Sequence, residues 1–312
     1  MKFQQLWWAP LLCGLLTSCG GGGSNVPAGP APVVSASSAN TARYSETLLV
    51  TLTGTNLDQA LTLTSGGCRN FQRSTAQPFV STPTLAYYTC TVSGVGSLVV
   101  NVAWAGNTLG NVPFAVDLPQ VTLQVSNGLA ATGQIVITLR PQEAPLTVDN
   151  FLAYVKSGFY NNTIFHRHGR STTSTPFVLQ GGGFTSPVTA AAAFPPAKAA
   201  SAPIALEAGR GLSNLRYSLA MARGNAPASA TSEFFINTVD NVFLDTSNGG
   251  YAVFGTVTTG VALVDAMVAA PCSLSPVNFD SGVPNPPPPG YIPSTDCVPS
   301  PNIVVTSASQ SR

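Results

Sequence analysis

The two histidines of the chain flank an arginine in the run Phe165-His166-Arg167-His168. A histidine pair at i, i+2 without a third ligand reads as structural rather than metal-binding. The cysteines form no CxxC and no Cys/His cluster along the sequence, so no metal or other cofactor is expected. An Arg in a β-rich segment is ordinarily a surface charge. Phe165 and His166 beside Arg167 weaken that reading and suggest a fixed cation in apolar surroundings. Such a cation stabilises electron density that develops during a reaction, with no nucleophile or metal required. Taken one at a time, Phe177, Val178, Phe235 and Leu244 would each read as core.

Taken together, the motifs resemble those of the cyclophilin family. Asn150-Phe151, Gly158-Phe159-Tyr160-Asn161-Asn162-Thr163 and Phe165-His166-Arg167 carry the resemblance first. Gln180-Gly181-Gly182-Gly183-Phe184, Ser218 to Arg223 and Ser232-Glu233-Phe234-Phe235-Ile236-Asn237 follow. Phe243-Leu244-Asp245 and Tyr251-Ala252-Val253-Phe254-Gly255 complete it. Eight blocks stand in the family's order and at similar spacing, over roughly residues 119 to 307. Phe243 and Tyr251 make the bacterial periplasmic branch the nearer likeness.

The resemblance implies a peptidyl-prolyl cis-trans isomerase, and the chemistry of the amide explains which residues it needs. An X–Pro bond isomerises slowly because partial double bonding sets a barrier of about 18–20 kcal/mol. A catalyst must bind the twisted amide better than either planar form. Twisting localises a lone pair on the prolyl nitrogen, which a fixed donor can stabilise while an apolar pocket holds the ring. By the family pattern Arg167 is that donor. Gln180 bonds the substrate backbone and steadies Arg167. Phe177, Val178, Phe235 and Leu244 line the proline pocket, with Phe243 and Tyr251 at its rim. Ala222 and Arg223 align the preceding peptide, largely through backbone groups, and His166 is structural.

Three departures from the family pattern stand out. His168 to Pro176 insert extra residues between Arg167 and Phe177, and are expected to loop outward. Val178 stands where the family has Met, which shortens the pocket floor. Glu233 stands where the family has Gln, and is expected to pair with Arg167. Reduced but measurable activity follows from these. The alternative is a non-catalytic proline-peptide binding module on a surface lipoprotein.

The elements that position these residues are legible in outline. Val121 to Val125 and Gln134 to Leu139 read as a strand pair. Pro145 and Thr147 start a helix in which Val148, Phe151, Leu152 and Val155 share one face, and Gly158 ends it. A second helix is expected from Val261 to Val268, after Gly260. Strands are expected at Tyr217 to Met221, Phe234 to Asn237, Tyr251 to Gly255 and Ile303 to Val305. The fold class is therefore mainly β. The resemblance implies an eight-stranded cyclophilin-like barrel with two capping helices over residues 119–308. Residues 33–117 alternate short β-rich runs with Gly, Asn and Ser clusters, and read as a small Ig-like β-sandwich. The Pro-rich segment 276–301 reads as a surface loop.

The chain opens like an exported protein. Lys2, the apolar run Leu6 to Leu16, and Thr17-Ser18-Cys19 form a signal peptide over 1–18 that resembles a lipobox. Cys19 is then the lipidated residue, and residues 19–32 a flexible tether. Gly20 after the Cys implies the outer membrane, on its periplasmic face, with the membrane held through the lipid anchor. Cys68, Cys90, Cys272 and Cys297 remain, and in an oxidising compartment they read as two disulfides. Three pairings are possible; Cys68–Cys90 and Cys272–Cys297 are favoured because each stays within one domain. Net charge is +1 with no basic run, so nucleic acid is not an expected partner. The expected partners are proline-containing unfolded or exported polypeptides.

Overall fold

The computed structural model describes residues 29–170, 176–186, 196–274 and 297–312. The signal peptide, Cys19 and most of the Pro-rich segment therefore lie outside the described residues.

The first part of the chain is a sandwich of two sheets. One has the order β1-β2-β5-β4, from β1 (Val33–Ala39), β2 (Thr47–Thr55), β4 (Cys68–Arg73) and β5 (Leu85–Val92). The other has the order β3-β6-β7, from β3 (Thr62–Thr64), β6 (Gly96–Trp104) and β7 (Asn107–Val116). Side chains alternate across a strand, so Leu48, Val50 and Leu52 of β2 meet Tyr88, Cys90 and Val92 of β5 in one buried layer. The Cys68–Cys90 disulfide ties β4 to β5 within it.

A closed antiparallel barrel follows. Its strands are β8 (Gln120–Ser126), β9 (Gly133–Leu139), β10 (Thr163–Arg170), β11 (Pro176–Thr185), β12 (Ser218–Met221), β13 (Phe234–Asn237) and β14 (Val253–Thr259). Two short strands, β15 (Cys272–Leu274) and β16 (Cys297–Pro299), precede the last one, β17 (Ile303–Gln310). The ring runs β11-β13-β12-β14-β9-β8-β17-β10, and β10 closes it by pairing with β11. Closure leaves the barrel strands without free edges. β16 pairs with β10 and β15 with β16, which forms a disulfide-bonded ribbon through Cys272–Cys297.

Two helices pack on the barrel. Helix α1 (Pro145–Lys156) turns Val148, Phe151, Leu152 and Val155 into the core at the expected period. Phe151 meets Phe234 edge-on at 5.5 Å and Phe254 at 5.2 Å. Gly158 ends the helix at φ +69°, a conformation that L side chains rarely adopt. The buried carboxylate of Glu207 caps the other end, accepting from the Thr147 N–H and hydroxyl at 2.8 Å each. Helix α2 (Val261–Ala269) buries Val264 and Met267.

Sandwich and barrel share one continuous core, with Tyr44 only 1% exposed between them. Lys156 donates to the Ser45 carbonyl at 2.6 Å, Gln310 to the Tyr44 carbonyl at 3.1 Å, and Arg69 pairs with Asp149 at 2.7 Å. Burial first, and the charge of Asp149 second, push the Tyr44 phenol well above its ordinary pKa, so it stays neutral.

The insertion ahead of Phe177 corrects one expectation. His168 and Gly169 do not loop outward; they extend β10 and pair with Leu179 and Val178, while Arg170 pairs with Pro176. Cys297 of β16 pairs with His168 from the other side. The ribbon supplies the neighbour that lets the strand continue. Residues 171–175 lie outside the described residues. A second correction concerns the end of the Pro-rich segment, where Cys297–Pro299 is buried strand rather than surface loop.

Candidate active site

Four cross-strand partners form one row on the barrel wall. Arg167 of β10 faces Gln180 of β11, Gln180 faces Phe235 of β13, and Phe235 faces Ala220 of β12. Directly opposed residues in a sheet point to the same face. The intervening residues Leu179, Phe234, Ile236 and Leu219 point inward and are fully buried. The pleat thus separates a core face from a face that carries polar and apolar groups side by side. The register slips between Phe165 and Arg167, which re-aims the strand at this point.

The polar half of the row is a relay of hydrogen bonds. Arg167 Nη1 donates to Gln180 Oε1 at 2.7 Å, and Gln180 Nε2 donates to Glu233 Oε2 at 2.7 Å. The buried His166 imidazole lies 3.3 Å from the same Glu233 oxygen. The expected Arg167–Glu233 ion pair is corrected: Gln180 stands between the two groups and bonds each. Burial raises the Glu233 carboxyl, but bonding to His166 and Gln180 and the charge of Arg167 outweigh it, and the net shift is downward. Glu233 is therefore anionic at neutral pH. It orients the Gln180 amide, and Gln180 in turn orients the guanidinium.

The apolar half is a cluster separate from the main core. Val178, Ala220, Phe235, Leu244 and Val253 are its buried members, with Phe177, Leu212, Ala222 and Tyr251 packed against them. Phe243 is 57% exposed and lies 6.0 Å from the Phe177 ring. Tyr251 meets Phe235 edge-on at 5.7 Å. Every apolar side chain assigned to the pocket from sequence falls in or beside this cluster. Arg223 lies at the rim of the cluster. Its guanidinium stacks over Tyr251 at 4.8 Å and bonds the Gly250 and Asn248 carbonyls, so its charge ties the rim together. Gly169 backs the floor, since a Cβ there would meet Val178 at 2.5 Å.

Sequence reasoning missed Ala220, Leu212 and Val253, and it missed a chain of buried amides behind the pocket. Asn241 Nδ2 donates to the Phe177 carbonyl at 2.6 Å and to Asn237 Oδ1 at 2.8 Å. Asn237 reaches Asn214 at 3.1 Å, and Asn214 reaches Asp245 at 2.7 Å. This chain locks the 3-10 helix Val242–Asp245, which carries Phe243 and Leu244, to the strand that carries Phe177. The only sequence signal was a cluster of Asn and Asp beside the Phe-Leu pair, which looks like an ordinary turn.

The fold also gathers what the sequence separates. His168 comes within 4.8 Å of both sulfurs of Cys272–Cys297. Burial, and secondarily Arg170, lower the His168 pKa to about 4 against a weaker pull from the Met267 carbonyl, so its ring is neutral.

The barrel thus carries on its wall an apolar cluster flanked by the Arg167 guanidinium. Residues 121–281 match the family model described as cyclophilin type peptidyl-prolyl cis-trans isomerase/CLD. The peptidyl-prolyl cis-trans isomerase cyp18 of Streptomyces antibioticus is 51% identical over 142 residues, 44% of this chain and 78% of that protein. Peptidyl-prolyl cis-trans isomerase B of Escherichia coli is 48% identical over 138 residues, 43% of this chain and 77% of that one. A relative from Acinetobacter baylyi is 47% identical over 143 residues, 45% of this chain and 70% of that one. A solved Cryptosporidium parvum cyclophilin, crystallised in the presence of the dipeptide Ala-Pro, is 21% identical with a TM-score of 0.42, covering 62% of this chain and 99% of that one. The chain belongs to the cyclophilin family and is a peptidyl-prolyl cis-trans isomerase.

Proposed function

We propose that the enzyme isomerises X–Pro bonds of exported polypeptides by placing the Arg167 guanidinium against the twisted prolyl nitrogen. The proline ring sits on Phe235, Val178 and Leu244, between Phe177 and Tyr251. The observation that carries this reading is the row itself: Arg167 and Phe235 are both direct partners of Gln180, so cation and pocket floor are two strands apart on one face. A guanidinium has five N–H donors, and the Gln180 bond uses one while fixing the plane of the rest. The donor is therefore oriented before substrate arrives, which is the condition for stabilising the transition state more than the ground state.

Gln180 steadies Arg167 through Oε1 and bonds Glu233 through one Nε2 hydrogen, which leaves the second Nε2 hydrogen and the second Oε1 lone pair for substrate backbone. The opening segment supports an exported, lipid-anchored protein, with Cys19 lipidated and the isomerase held at the outer membrane. The two disulfides suit an oxidising compartment.

Exchange NMR on an Ala-Pro-containing peptide, with the purified chain in catalytic amount, tests the activity. The expected result is exchange between cis and trans signals far faster than the uncatalysed seconds-to-minutes rate. Peptide binding without accelerated exchange would favour the binding-module reading instead.

A further inference from the structure

We propose that His168, Cys272 and Cys297 form a Zn2+ site when the Cys272–Cys297 disulfide is reduced. The three ligand groups come from three adjacent strands, β10, β15 and β16, and their donor atoms all lie within 4.8 Å of one another. His168 and Cys297 are direct cross-strand partners, so backbone pairing sets their spacing whether or not the sulfurs are joined. Zn–S bonds of about 2.3 Å and Zn–N bonds of about 2.0–2.1 Å put tetrahedral ligand atoms roughly 3.5 Å apart. Breaking the S–S bond frees both cysteine side chains to rotate toward that spacing.

The chemistry of the donors fits this metal. Two thiolates and one imidazole suit tetrahedral Zn2+ with a fourth position for water. Both ring nitrogens of His168 are buried without a hydrogen-bond partner, so a ring lone pair is available to a metal. Two thiolates cancel the charge of the dication, so a buried site carries no net charge. His168 and Cys297 are buried at 1% and 2% exposure, while Cys272 is half-buried and gives reductant and metal a way in.

The steps balance. A dithiol transfers two electrons and two protons to the S–S bond, becoming a disulfide itself and leaving two protein thiols. Zn2+ then displaces the two thiol protons to solvent and accepts the lone pair of neutral His168. The disulfide joins only β15 to β16, whereas zinc would also fasten the ribbon to β10 at His168, next to Arg167.

Co2+ replaces Zn2+ as a visible probe in the dithiol-reduced full chain under anaerobic conditions. Wild type is expected to bind one equivalent, with a thiolate-to-cobalt charge-transfer band and tetrahedral ligand-field bands that Zn2+ abolishes. Substituting both Cys272→Ser and Cys297→Ser should remove the signal although Cys68 and Cys90 remain. His168→Ala should weaken binding by more than about tenfold, the usual scale for losing even an outer-shell contact. In wild type, the ring-nitrogen resonances of His168 should shift on adding Zn2+ to reduced protein, a readout that needs no variant to fold. No cobalt band in reduced wild type, a band that survives the double substitution, or unmoved His168 resonances would each overturn the site.

Discussion

Arg167 and Glu233 do not touch; Gln180 joins them, accepting from one and donating to the other at 2.7 Å each. The carboxylate acts on the guanidinium through the orientation of an amide and through space, and no direct ion pair forms. Two charges at this separation near a surface interact by on the order of 1 kcal/mol.

Replacing Glu233 by Gln keeps an oxygen acceptor for Gln180 and removes the charge. The expected outcome is a rise in kcat/KM of up to roughly fivefold, with KM little changed. Replacing Glu233 by Leu removes the acceptor as well and should lower kcat/KM. Peptide assays on the two variants side by side separate charge from orientation.

The same residue predicts an acid-stability difference. The folded-state pKa of Glu233 is depressed, so its contribution to stability is present above the ordinary carboxylate value and is lost as pH falls through the folded value. Urea midpoints measured from neutral pH down into the acid range should fall less steeply in Glu233→Gln than in wild type.

Pocket floor and pocket rim should respond differently to truncation. Phe235 is 4% exposed, and Phe235→Ala should cost about 3–5 kcal/mol of stability as well as raising KM. Phe243 is largely exposed, so Phe243→Ala should leave stability within about 0.5 kcal/mol and still weaken peptide binding severalfold. Thermal melts and KM values on the pair distinguish a structural side chain from a substrate-facing one.

The sandwich and the barrel should unfold together. Tyr44 fills the shared core, and Lys156, Gln310 and Arg69 bridge the two parts. Tyr44→Ala should lower the midpoint of a single transition by an amount that matches about 3–5 kcal/mol. Two separate transitions in wild-type calorimetry would show that the parts are independent.

Much of this was legible in the sequence for identifiable reasons. The face of α1 followed from the period of Val148, Phe151, Leu152 and Val155, and Gly158 marked its end. The pocket side chains followed from the resemblance, since each alone is indistinguishable from core. What stayed hidden depends on contacts between distant segments. Period and propensity do not reveal that Asn241 holds the Phe177 carbonyl, that Glu207 caps α1, or that a disulfide ribbon comes to rest beside His168. The insertion misled because Ser/Thr-rich composition suggests a loop, whereas pairing to β16 decides the conformation of His168.

Catalysis depends on stabilisation of the twisted amide by the Arg167 guanidinium. Exchange NMR on an X–Pro peptide should compare wild type with Arg167→Lys and Arg167→Ala. Removing one oriented electrostatic donor costs about a hundred- to a thousandfold in rate, and Arg167→Ala should lose activity on that scale with peptide affinity largely kept. Lys keeps the charge but not the planar fork that bonds Gln180, so Arg167→Lys should recover only a small part. Wild-type exchange rates in Arg167→Ala, at unchanged peptide affinity, would show that the guanidinium is not the catalytic group.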